Sequence, residues 1–159
     1  MSNDTSNNRG NKQARSFHFL CNHHRQALMR DAREARRFWA EAILAGREKA
    51  QEANWQKALV TFGNAMEVAT ILLHRDSNRS RAETRFARTA VEFGALLRGR
   101  GFQCDANILL QLVNCELDGV TLTQPKDGLI NPLVEALTTD PDFRINKRYA
   151  APNQIRNIH

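Results

Sequence analysis

The chain has 159 residues, 42% of them hydrophobic and 25% charged, a size and balance that let one domain bury a core without disulfide or metal staples. It carries 23 Lys and Arg against 17 Asp and Glu, a formal charge of +6, which admits an acidic protein, a nucleic acid or an anionic surface as partner and selects none of them. Three scattered cysteines exclude a disulfide framework, no apolar run approaches the ~20 residues of a membrane helix, and the polar start "MSNDTSNNRGNKQARS" lacks a signal-peptide core, so the expectation is a soluble, cytoplasmic protein.

Residues 1–16 hold no aromatic and no branched aliphatic side chain and are expected to form a disordered polar tail. A helix is predicted from about Asn22, with Leu28, Ala32, Ala35, Trp39, Ala42 and Gly46 on one stripe. A second helix should run from about Trp55 to His74, with Leu59, Phe62, Met66, Ala69 and Leu73 inward. The short gap "EAN" between them forces an antiparallel hairpin. Ser80 is expected to cap a third helix, with Glu83 as the reciprocal partner of a capping box. That helix runs to about Leu97 and buries Phe86, Ala90, Phe93 and Leu97. After the glycine turn "RGRGFQC", Asp105 is expected to cap a fourth helix through Leu117, with Ile108, Leu109, Leu112 and Leu117 inward.

Residues 17–119 thus read as two antiparallel helical hairpins in an all-α chain. Beyond Gly119, "VTLTQP" is β-branched and ends at a proline, which predicts an extended segment. Asn131 and Pro132 then predict the start of a short helix to about Thr138. The final stretch, "DPDFRINKRYAAPNQIRNIH", has no periodicity. It is either a tail or an irregular arm laid over the hairpins by Phe143, Ile145 and Tyr149, so residues 120–159 form a third region.

The second helix alternates small and large residues on its inner face: Ala58 and Ala65 flank Phe62. Small residues let two helices approach closely, and the aromatic one turn away fills the groove beside the contact. With Ala53, Trp55, Leu59 and Met66, and with Gly46 in the preceding helix, residues 40–70 resemble a tetratricopeptide repeat. Ala42 stands where that repeat prefers Trp, and Lys49 where it prefers Tyr. A second, looser copy covers residues 86–115 through Gly94, Gly101 and Ala106. Its offset of 48 residues from the first exceeds the repeat's ~34, and Leu110 and Val113 replace the aromatic and the second alanine. A plain four-helix bundle needs the same apolar stripes and the same short loops.

The resemblance implies an inner groove lined by the first helix of each pair, which puts Ile43, Arg47 and Gln51 there from the first pair and Arg88, Val91 and Arg98 from the second. Independently, Arg81, Arg85 and Arg88 form one face of the third helix with Glu92 as the nearby acid, and residues 78–101 hold six Arg against two Glu. In the first helix, Arg30, Arg33 and Arg37 are interleaved with Glu34 and Glu41 and read as a solvated, self-paired face.

Other chemistry finds little support. His18, Cys21 and His24 fall at helical steps but lack a fourth ligand at fixed spacing, so no metal site and no cofactor are assigned. Cys104 and Cys115 read as small buried residues. No phosphate loop or nucleophile–base arrangement is legible, so no enzyme is predicted. The sequence therefore reads as a protein–protein interaction module, an adaptor, chaperone or regulatory subunit, that binds an acidic or amphipathic segment of another protein. Its partner-binding residues are Ile43, Arg47, Gln51, Arg81, Arg85, Arg88, Val91 and Arg98. Nucleic acid held by the Arg-rich third helix is the alternative. Two hairpins are few for a stable stack, so either the C-terminal segment caps them or two chains pair as a homodimer.

Overall fold

The computed structural model describes residues 19–139; the expected N-terminal tail, His18 and the arm residues Phe143, Ile145 and Tyr149 lie outside them. The described chain is all-helical: α1 (Asn22–Arg30), α2 (Ala32–Gln51), α3 (Trp55–Arg75), α4 (Arg79–Gly99), α5 (Gln103–Asp118) and α6 (Lys126–Thr138). The pairs α2/α3 and α4/α5 are the two expected hairpins. The single first helix expected from Asn22 is instead broken at Asp31, whose carboxylate accepts hydrogen bonds from the amides of Arg33 and Glu34 at 2.9 and 3.2 Å and so starts α2 afresh.

The small–large–small stripe is packing. Ala58, Phe62 and Ala65 are fully buried, and a Cβ on Gly46 would lie 3.2 Å from the Phe62 ring. Gly46 thus sets how closely α2 lies on α3. Gly94 serves a different contact: its missing Cβ would meet Leu133 Cδ1 of α6 at 2.8 Å. Between Gln51 and Trp55 the chain turns through Ala53 at φ +57°, a left-handed conformation without glycine.

Three sequence-based expectations about helix starts need correction. Asn78, not Ser80, caps α4, with its side chain accepting from the Arg81 amide at 3.2 Å. Glu83 is therefore free to turn inward, where it is fully buried. Its two oxygens accept from the Thr123 amide at 2.8 Å, the Thr123 hydroxyl at 2.7 Å and the Gln124 side chain at 3.2 Å. Phe102 occupies the cap position of α5 without a side-chain bond, and Asp105 falls in its first turn. Helix α6 begins five residues before the expected Asn131, after Pro125, and carries Pro132 in its interior. Burial of Leu129, Ile130, Leu133 and Leu137 outweighs the lost backbone hydrogen bond at that proline.

Helix α6 lies against α4 and α5 and enters the main core. It runs parallel to α4, since Thr123 and Gln124 meet Glu83 while Leu133 meets Gly94. Residues 120–139 thus cover one side of the second hairpin. At the other end, Glu67 of α3 accepts hydrogen bonds from the amides of Phe19 and Leu20, each at 2.9 Å, and pairs with Arg25 of α1. The Phe19 ring lies on Gly63 and meets Phe93 edge-on at 6.1 Å. Cys104 and Cys115 are exposed, contrary to the expectation that they are buried, as is Cys21. No helix among the described residues is long and apolar enough to cross a membrane.

Candidate functional site

Helices α2 and α4 run side by side and parallel, joined by long side chains rather than by close backbone approach. Trp39 Nε1 donates to Thr89 Oγ1 at 2.9 Å. Further along, Arg47 forms a two-pronged pair with Glu92, at 2.9 Å from Nε and 2.5 Å from Nη2. The valley between them has a volume of about 500 Å³. One wall is Ala40, Ile43, Leu44 and Arg47 of α2; the other is Arg81, Thr84, Arg85 and Arg88 of α4. Leu44 is 64% exposed on the rim, while Ile43 reaches down into the core at 4%.

The valley contains five of the sequence-predicted residues: Ile43, Arg47, Arg81, Arg85 and Arg88. Their charges are not equivalent. Arg85 Nη1 lies 3.2 Å from Asp76 Oδ2, and its guanidinium sits 5.2 Å from the centre of the Trp39 ring. Asp76 also accepts from Arg36 Nη1 at 3.1 Å and from the Asn78 amide at 3.1 Å. Burial works to raise the Asp76 carboxyl, but the Asn78, Arg85 and Arg36 hydrogen bonds outweigh it and hold the group below its ordinary range. Arg85 and Arg47 are thus neutralised by fixed carboxylates. Arg81 and Arg88 are exposed and have no partner among the described residues.

The remaining three predicted residues are distributed differently. Val91 lines a neighbouring groove of about 270 Å³ between α4 and α6, with Thr84, Arg88 and Glu92 shared between the two hollows. Gln51 is exposed in the last turn of α2 and Arg98 donates to Gln103 at the start of α5; neither lines either groove. Arg100 likewise is taken up locally, 4.6 Å over the Trp55 ring. The basic character of α4 is therefore concentrated at Arg81 and Arg88. In α2, Arg37 pairs with Glu34 and Glu41 on an exposed face, as its spacing predicts.

Sequence reasoning does not place Trp39, Leu44 or Asp76 at this site, and it sees Glu92 as the acid of the α4 face but not as the partner of Arg47. Trp39 packs against the core as its spacing predicts, and its indole N–H in addition reaches across to Thr89. Asp76 stands outside every helical stripe, and nothing local in the sequence ties it to Arg36 and Arg85, which lie 40 and 9 residues away.

A separate hollow of about 230 Å³ between α3 and α5 is apolar, lined by Met66, Ile71, Phe86 and Leu109. Its rim charges are engaged, Arg25 with Glu67 and Glu116 with His74. Among the described residues no three His, Cys, Asp or Glu side chains are grouped so as to hold a metal; the Cys21 sulfur instead accepts from the His24 amide at 3.5 Å and caps α1.

No protein-family model, no curated protein and no solved structure matches this chain.

Proposed function

We propose that the chain is a protein–protein interaction module, of the adaptor, chaperone or regulatory-subunit kind, whose α2/α4 valley takes an acidic, amphipathic segment of a partner. One observation carries the reading. Two guanidiniums without a partner among the described residues, Arg81 and Arg88, face the exposed Leu44 across a valley whose other cations already have carboxylates. The parallel array of α2, α4 and α6 on one side, with α3 and α5 behind, supports a tetratricopeptide-like use of that face.

The magnitudes assign separate roles to the two parts. Covering Leu44 and its neighbours contributes about 1–2 kcal/mol per large side chain. An ion pair at a solvent-exposed arginine contributes roughly 0.2–1 kcal/mol. Affinity therefore comes mainly from the apolar rim, and the arginines select an acidic partner and steer its approach.

The test is affinity capture from native lysate, with and without nuclease, using the wild type and the Arg81→Glu, Arg88→Glu double variant. The reading predicts a stoichiometric protein that survives nuclease and is lost from the variant. Recovery of nucleic acid instead makes α4 a phosphate-binding surface. With two free cations its affinity falls only about tenfold between 50 and 200 mM salt.

A further inference from the structure

We infer that the occupant of the α2/α4 valley is a helix, carrying two acidic residues two turns apart on the edge that meets α4. The inference rests on the valley being a protein-binding surface, and adds the conformation and spacing of what binds there.

Arg81 and Arg88 both lie on α4 and both line the valley, seven residues apart. Seven residues of α-helix span about 10 Å along the axis and fall roughly 20° short of two full turns. Arg81 and Arg88 therefore point the same way from one edge of the valley. A segment lying lengthwise must offer its carboxylates about 10 Å apart and on one side.

A helical ligand does this at its own seven-residue spacing, because its rise and turn match those of α4. An extended ligand does not. At about 3.3 Å per residue, a three-residue step gives the required length but puts the two side chains on opposite faces. A four-residue step restores the face and overshoots, at roughly 13 Å. The matching spacing thus favours a helix over a strand.

The opposite wall agrees. Ala40 and Leu44, four residues apart on one ridge, are both exposed there, while Ile43 is buried beneath them. Such a ridge receives the apolar stripe of an amphipathic helix, recognised through anchors at helical intervals. The bidentate Arg47–Glu92 pair crosses the valley beyond this ridge and presents no free charge to the ligand.

Arginine side chains are flexible, so the test includes a strand-forming competitor. Fluorescence anisotropy with the full-length chain would compare labelled peptides of about 14 residues, some 21 Å if helical. One carries a leucine stripe and two glutamates two turns apart. A second has the same composition with one glutamate moved to the opposite helix face. A third has a central proline that breaks the helix. The expected result is that the first binds roughly two- to fivefold more tightly than the second, a difference that Arg81→Ser with Arg88→Ser removes, and that the proline peptide binds more weakly than either. Both arginines are exposed and unpartnered, and circular dichroism confirms that the variant stays folded. If the proline peptide binds as well as the first and still depends on the arginines, the helical occupant is wrong while the valley remains a binding surface. If no peptide binds, or if binding ignores Arg81, Arg88 and Leu44→Asp alike, the valley reading falls as well.

Discussion

Arg85 is bound to Asp76 at 3.2 Å and is mostly withdrawn from solvent, with its side chain only 12% exposed. A residue that looks in the sequence like part of a basic binding face is thus a strut between the end of α3 and the middle of α4. Arg36 brings α2 to the same carboxylate. Removing Asp76 leaves both guanidiniums without their fixed anion, one of them largely buried, and Asp76→Ala is predicted to cost about 2–4 kcal/mol. Arg85→Glu should destabilise comparably, while Arg88→Glu leaves stability within roughly 0.5 kcal/mol. Urea unfolding of the three variants checks the contrast.

Acid sensitivity follows from Asp76 and Glu83. For each, burial tends to raise the carboxyl and is outweighed by hydrogen bonds, from Asn78, Arg85 and Arg36 to Asp76 and from Thr123 and Gln124 to Glu83, so that the folded-state value is lowered. Groups depressed on folding stabilise fully above their unfolded values, about pH 4. That contribution is lost as pH falls through the lower folded values. Stability should therefore drop below about pH 4, and the Asp76→Asn variant should show a flatter decline there than the wild type, measured by urea unfolding at successive pH values.

The loop before α6 depends on Glu83. Glu83→Ala deprives the Thr123 amide and hydroxyl of their acceptor and is predicted to cost about 1–3 kcal/mol. Hydrogen exchange at the Thr123 amide should accelerate more than exchange in α2, which the change does not touch. Equal acceleration throughout the chain would mean that the clamp is not local.

Helix α6 is predicted to be part of the folded core. Leu133 is 1% exposed and fills the space above Gly94. Leu133→Ala should lose about 2–5 kcal/mol, as for other buried leucines. Val134→Ala, at a 39% exposed position one residue on, should change stability by no more than about 0.5 kcal/mol.

Backbone strain gives a prediction of opposite sign. Ala53 is held at φ +57° in the α2–α3 turn, a conformation that costs a non-glycine residue roughly 1–2 kcal/mol. Ala53→Gly relieves it and is expected to raise stability by about 0.5–1 kcal/mol after the added freedom of the unfolded chain is subtracted. Thermal unfolding checks the sign.

The hairpins were legible because their apolar residues recur at helical steps and their turns are short. Phe62, Phe86, Phe93 and Leu109 could be placed inward from spacing alone. The start of α6 was not legible, because Pro132 reads locally as a first-turn residue and only tertiary burial of Leu129 and Ile130 carries the helix back past it. Glu83 misled for a related reason: its capping-box spacing from Ser80 is a local signal, whereas its partners Thr123 and Gln124 lie forty and forty-one residues away. At the valley, the positions of Ile43, Arg47, Arg81, Arg85 and Arg88 followed from helical register. Which of the arginines are free did not, since Asp76 reaches Arg85 across the turn between α3 and α4 and Glu92 turns toward α2.

The central claim is that the α2/α4 valley is where a partner protein binds, and it is tested most directly by a photo-cross-linking residue placed at Leu44. The control position is Gln111, exposed on α5. Irradiation in native lysate is predicted to give a discrete protein adduct from position 44, none from position 111, and loss of the adduct when Arg81 and Arg88 are both changed to Glu. Adducts of equal yield from both positions, or an adduct at position 44 that ignores the two arginines, would contradict the account.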